Sequence, residues 1–202
     1  LDGGGDMDVL SASHSDDKIA WYENDGSEGF TEHAISTSAD GAESVYAVDV
    51  DSDGDMDVLS ASENDGKIAW YENNGSESFT EHAISTSDGA HSVYASDIDG
   101  DGDMDVLSAS RTENNIAWYE NDGSENFTEY VIDADVSAAW DVYASDIDGD
   151  GDMDVLSVGF YASNITWYEN DGSGSFTDHI ISSGVYKTSS VYAADVDGDG
   201  DM

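Results

Sequence analysis

Met7, Met56, Met104, Met153 and Met202 stand 49, 48, 49 and 49 residues apart, and Trp21, Trp70, Trp118 and Trp167 keep step at 49, 48 and 49. A period of roughly 40–50 residues holding several short strands is the signature of propeller blades. The fold expected is therefore all-β, a β-propeller of four-stranded blades. The chain of 202 residues holds four blade-equivalents of about 49 residues each.

One period reads as four strands. Strand A is Ser44 to Val50, B is Met56 to Ser62, C is Lys67 to Glu72 and D is Ser78 to Ser85. These stretches are short, β-branched and aromatic. Asn73-Asn74-Gly75 closes the C–D hairpin and returns as Asn-Asp-Gly at 24–26, 121–123 and 170–172. Ile68 and Trp70 lie on one face of strand C, Ala69 and Tyr71 on the other. Apolar residues on both faces are expected where each sheet packs between two neighbours.

Between A and B lies the most charged stretch. Asp49, Asp51, Asp53, Asp55 and Asp57 fall within nine residues, with Gly54 at the sixth. The pattern returns as Asp97, Asp99, Asp101, Asp103 and Asp105, then as Asp146, Asp148, Asp150, Asp152 and Asp154. A shorter copy holds Asp195, Asp197, Asp199 and Asp201. Such carboxylates repel one another, so a cation is needed to compact them. Oxygen ligands at positions 1, 3 and 5, glycine at 6, a carbonyl at 7 and Asp at 9 wrap around one Ca²⁺. Position 12, where a helical EF-hand places a bidentate Glu, is Ser60, and the flanks read as strand. The alternative is an acidic turn without metal. In the opening copy Gly4 replaces the Asp at position 5, which predicts a weak or empty site.

Acidic residues number 47 against 4 Lys and Arg, a formal charge of −43. The five loop copies hold 22 of them and leave 25 outside, so calcium accounts for about half the acidity. The rest argues against nucleic-acid partners and anionic membranes, which need basic surface. No Cys is present, which removes disulfides and thiol chemistry. No transmembrane run appears, so no direct membrane insertion is expected. Weak calcium loops fill in extracellular fluid, which points to a secreted or cell-surface protein.

Both ends of the chain fall inside aspartate loops, so it reads as a segment of a longer protein. It is taken as one propeller segment, 1–202, with repeats at about 1–43, 44–91, 92–140 and 141–189. Residues 190–202 then supply a further strand A, Ser190 to Val196. That strand can join B, C and D of the first repeat in a one-plus-three closure, or serve self-assembly by strand exchange.

The motifs Asp-x-Asp-x-Asp-Gly-x-x-Asp, Asp-Val-Leu-Ser and Trp-Tyr-Glu-Asn resemble the FG-GAP/VCBS repeat family, the calcium-binding repeats of integrin α-type β-propellers. The resemblance spans the chain and is nearer the VCBS branch, since the literal Phe-Gly and Gly-Ala-Pro elements are absent. It implies Ca²⁺ between strands A and B, and roles in adhesion, surface display or as an accessory domain of secreted proteins.

Departures from the repeat collect in the B–C and D–A loops, at the end opposite the aspartate loops. Arg111, Trp140, Phe160, Tyr161, Tyr186 and Lys187 make this a candidate ligand face for a glycan or a protein loop. Trp140 takes the place held by Glu43, His91 and Ser189 in the other repeats. The competing reading is drift in exposed loops. The periodic Trp residues read as inter-blade core. His33, His82 and His179 recur in strand D, where a ring keeps equivalent positions apart. Asn74, Asn126 and Asn164 open short glycosylation sequons.

No nucleophile elbow, His-Glu-x-x-His or phosphate-binding Gly-Lys-Ser/Thr is present, so no enzyme activity is expected. The function expected is an extracellular calcium-binding module with a structural or adhesive role. The alternatives are a carbohydrate-binding propeller and the accessory domain of a secreted polysaccharide-degrading enzyme.

Overall fold

The computed structural model describes residues 1, 3–200 and 202. Among the described residues fifteen strands form four antiparallel sheets, each an uninterrupted meander. The first has three strands, β1 (Val9–Ser13), β2 (Lys18–Asn24) and β3 (Phe30–Ser36). The second is β4 (Ala42–Val48), β5 (Asp57–Ser62), β6 (Lys67–Asn73) and β7 (Phe79–Thr86). The third is β8 (Ala90–Ser96), β9 (Asp105–Ser110), β10 (Asn115–Asn121) and β11 (Phe127–Asp133). The fourth is β12 (Ala139–Ser145), β13 (Asp154–Gly159), β14 (Asn164–Asn170) and β15 (Phe176–Ser183). No helix occurs among the described residues. The expected strands A to D are found within two residues of their predicted bounds.

Alternation along strand C explains how the sheets dock. Ile19 of the first sheet packs with Val58, Ala69 and Tyr71 of the second. Leu59 and Trp70, on the other face of the second sheet, pack with Val93, Val106 and Tyr119 of the third. Leu107 and Trp118 of the third meet Val142, Val155 and Tyr168 of the fourth. Three cores thus lie between four sheets, and each buried Leu contributes about 1.5–3 kcal/mol. Trp21, Trp70 and Trp118 are buried as expected of inter-sheet core, while Trp167 of the last sheet is half-buried. Tyr46 of β4, Tyr94 of β8, Tyr143 of β12 and Tyr192 beyond the last strand follow one another at 4.7, 4.9 and 4.7 Å between ring centroids.

The connection between Asn73 and Phe79 spans five residues, as many as the predicted bounds left between Glu72 and Ser78: Asn74 N donates to Ser78 O at 3.2 Å, and Asp122 N to Asn126 O at 3.2 Å. Glu77 and Glu125 adopt left-handed φ of 59° and 64° to close it. Ser190 to Val196, predicted as a strand, has no ladder in this structure. A strand needs a paired neighbour, and the Val191 N–H donates instead to the Asp141 carboxylate at 3.0 Å. Tyr192 and Val196 are left 72% and 94% exposed.

Candidate functional site

The meander places the A–B and C–D turns at one end of every sheet and the B–C and D–A loops at the other. At the first end the aspartate loops repeat one geometry. The position-6 glycines Gly54, Gly102 and Gly151 have φ of 98°, 99° and 102°, which only glycine takes without strain. That bend lets their N–H groups donate to the position-1 carboxylates of Asp49, Asp97 and Asp146, each at 3.1 Å. The position-5 N–H bonds the position-3 carboxylate in the same way, as in Asp53 to Asp51 at 3.1 Å.

The folded loops bring carboxylate oxygens together in groups spanning no more than 4.8 Å. These groups are Asp49, Asp51 and Asp53; Asp97, Asp99 and Asp101; Asp146, Asp148 and Asp154; and Asp195, Asp197 and Asp199. Position 9 is tied into the sheet. Asp57 accepts N–H bonds from Val50 and Asn73 at 3.1 and 2.7 Å, Asp105 from Ile98 and Asn121 at 2.9 and 2.8 Å, and Asp154 from Ile147 and Asn170 at 2.9 and 2.9 Å. The carboxylates of Asp55, Asp103 and Asp152 turn aside to the C–D turn, where a Cβ on Gly75, Gly123 or Gly172 would strike them. None of the three carboxylates belongs to the groups above. Asp150 accepts the Asp152 N–H at 3.0 Å. Asp201 lies outside the described residues.

Burial is the first cause of the loops' electrostatics. It pushes the carboxyls of Asp57 and Asp105 up to about 6, partly offset by the N–H donors they accept. Asp51, Asp99 and Asp148 are raised too, by burial first and then by neighbouring carboxylates. Asp49 Oδ1 is buried with no hydrogen-bond partner among the described residues. A buried anionic oxygen without a donor is unfavourable, and a cation held by the triad would supply its partner.

The Asn that ends each strand C joins neighbouring repeats. Asn121 Nδ2 donates to Met104 O at 3.2 Å in its own loop and to Val50 O at 3.3 Å in the preceding loop. Asn170 repeats this with Met153 O at 3.0 Å and Ile98 O at 2.7 Å. Both side chains are buried.

At the opposite end the inner strands carry a bulge. Ala42 pairs with Ser62 and Ser44 with Ala61, leaving Glu43 as the extra residue. His91 and Trp140 are the extra residues of β8 and β12. A bulge re-aims its side chain, and here the three line up along the loop end. The rings of His91 and Trp140 lie 3.9 Å apart and those of Trp140 and Phe160 4.7 Å apart. Arg111 stands 5.3 Å over Trp140, Lys187 stands 5.7 Å over Phe160, and Tyr161 meets Phe160 edge-on at 5.1 Å. Five of the six predicted ligand-face residues are therefore brought together. Tyr186 is exposed and makes no ring contact among the described residues.

The model of the FG-GAP-like repeat matches residues 1–60, 49–108, 97–157 and 146–202. The chain belongs to this family. Consecutive matches of the FG-GAP-like repeats overlap across an aspartate loop, the turn between the first two strands of a sheet. Among solved structures the chain is similar to a lectin of Agrocybe aegerita that recognises non-reducing terminal N-acetylglucosamine. Identity there is 17% and TM-score 0.56, over 88% of this chain and 53% of the lectin. It is also similar to the V. cholerae biofilm matrix protein Bap1, at 21% identity and TM-score 0.58, over 87% of this chain and 26% of Bap1. The chain thus spans about half the length of the one and a quarter of the other. No curated protein matches.

In this FG-GAP-like repeat chain His33, His82 and His179 stay one to a sheet. Each stacks on a Trp, at 4.4, 4.6 and 4.7 Å, and pairs with Glu23, Glu72 or Glu169. They do not converge. The sequence reading missed His14, Glu43, Glu63 and His91 as members of the loop-end row. Their signal was available: Glu43 and His91 share Trp140's repeat position, and His14 and Glu63 share that of Arg111 and Phe160.

Proposed function

We propose that this chain is part of a calcium-loaded β-propeller whose sheets are its blades, serving outside the cell as a non-catalytic structural and adhesive module. The observation that carries this reading is the recurrence of aspartate triads in one loop position, with a buried, unpartnered oxygen on Asp49. An all-oxygen donor set suits a hard cation, and a flexible loop that draws on carboxylates and a carbonyl suits Ca²⁺ over Mg²⁺. Positions 1, 3 and 5 would hold the ion with the carbonyls of Asp55, Asp103 and Asp152. Asp57, Asp105 and Asp154 anchor the loops through the N–H bonds they accept, and Asp154 would also join its group in holding the ion. The ion neutralises charge that otherwise drives each turn open. One-plus-three closure, with Ser190 to Val196 beside β1, belongs to the same reading.

Asp101→Ala is expected to lower the calcium bound per chain by one, read by isothermal titration, and to leave the other sites filled. Unchanged stoichiometry, or no calcium bound by the parent protein, refutes the assignment.

A second reading takes the loop-end row as a carbohydrate-binding face. Its support is the continuous run of Arg111, Trp140, Phe160 and Lys187, aromatic planes flanked by cations on an otherwise acidic protein. Trp140→Ala is then expected to abolish binding on a glycan array that the parent protein gives in calcium. An array that stays blank for the parent argues for a protein surface as the adhesive partner.

A further inference from the structure

The loop-end row changes chemistry along its length. Beyond Trp140 its members are imidazoles and carboxylates drawn from three sheets. His14 follows β1, Glu43 is the bulged residue of β4, Glu63 follows β5, and His91 is the bulged residue of β8. His14 Nδ1 lies 2.7 Å from Glu43 Oε1, and His91 Nε2 lies 4.0 Å from Glu43 Oε2. One ligand atom each from His14, Glu43 and Glu63 falls within 4.8 Å of the other two.

Two features separate this cluster from an ordinary ion pair. His91 Nδ1 is bonded to the carbonyl of Trp140 at 2.9 Å. A carbonyl only accepts, so Nδ1 carries the hydrogen and the neutral ring keeps its lone pair on Nε2, the atom facing Glu43. Metal-binding histidines are oriented by such an outer contact, and this imidazole is only 12% exposed. In addition, Glu43 and Glu63 converge although like charges repel. Arg111 Nη1 contacts Glu63 Oε1 at 2.6 Å, while Glu43 meets only imidazoles among the described ion pairs. The pair lacks one positive charge.

The spacing suits a small ion. Ligands about 2.0–2.1 Å from a tetrahedral zinc lie roughly 3.4 Å from one another, and the 2.7 and 4.0 Å separations bracket that value. Two imidazoles with two carboxylates favour a borderline metal, in contrast to the all-oxygen loops at the far end.

We propose that His14, Glu43, Glu63 and His91 bind one zinc ion and so staple the first three sheets together at the end opposite the aspartate loops. The site stands independently of calcium. The pairs His33–Glu23, His82–Glu72 and His179–Glu169 each offer two ligands in a single sheet and serve as internal controls.

The test is titration of Zn²⁺ into the full chain in excess calcium, which keeps the aspartate loops from competing. One zinc per chain is expected. His14→Gln and His91→Gln should each weaken it about 10-fold or more, while His82→Gln leaves it unchanged. His14 is 47% exposed, so its variant should melt with the parent when zinc is absent, separating lost binding from lost folding. Co²⁺ in place of zinc should give the visible absorption of a tetrahedral site. No binding in calcium, binding that survives both variants, or binding lost in His82→Gln overturns the assignment.

Discussion

Removing calcium with EDTA is expected to lower the melting temperature by roughly 20 °C. A ligand bound only to the folded state at 100 times its dissociation constant stabilises by about 2.7 kcal/mol per site. The three loops that hold all five aspartates, Asp49–Asp57, Asp97–Asp105 and Asp146–Asp154, together supply about 8 kcal/mol. That is comparable with the whole stability of an ordinary domain, about 5–15 kcal/mol. For a chain of 202 residues each kcal/mol moves the midpoint by about 2–4 °C. Differential scanning calorimetry in calcium and in EDTA reads the difference. Superimposable curves would remove the metal from the folding of this protein.

In EDTA the protein is expected to be more stable at pH 5 than at pH 7.5, and in calcium the order should reverse. Burial raises the carboxyls of Asp57 and Asp105 from 3.8 to about 6. The folded state therefore holds these protons more tightly than the unfolded chain does. Their favourable contribution is complete below pH 3.8 and is lost as pH rises through about 6. Each is worth about 3 kcal/mol over the full window and about half that between pH 5 and 7.5. Two such groups shift the midpoint by roughly 8 °C at constant ionic strength. Calcium inverts the sign because the loop carboxylates hold the ion only when deprotonated, so its binding strengthens as pH rises. Melting in EDTA that is flat or rises toward pH 7.5 would show that Asp57 and Asp105 are hydrated in the metal-free fold.

Much of this arrangement was legible because the repeat is nearly exact. Trp70 and Ile68 on one face of strand C, with Ala69 and Tyr71 on the other, already required a neighbour on each side. What the pattern hid has physical causes. The bulge at Glu43, His91 and Trp140 is one residue inserted against a partner strand, and alternation alone does not locate it. Trp140 and Phe160 stood out by their type, whereas His14, Glu43, Glu63 and His91 did not. Asn73, Asn121 and Asn170 read as turn residues, although all three bond a loop about 70 positions away. Ser190 to Val196 has the composition of a strand, but pairing depends on what lies beside it.

The reach of Asn121 and Asn170 into the preceding loop has a thermodynamic meaning. The turns at Asp49–Asp57 and Asp97–Asp105 are each bonded by the repeat that follows, so on the calcium reading no single repeat would contain a whole binding unit. An array coupled this way behaves as a one-dimensional lattice with nearest-neighbour terms. Occupancy of one turn should favour order in the next, and damage to one Asn should travel in both directions along the chain. The smallest autonomous piece is then a pair of sheets.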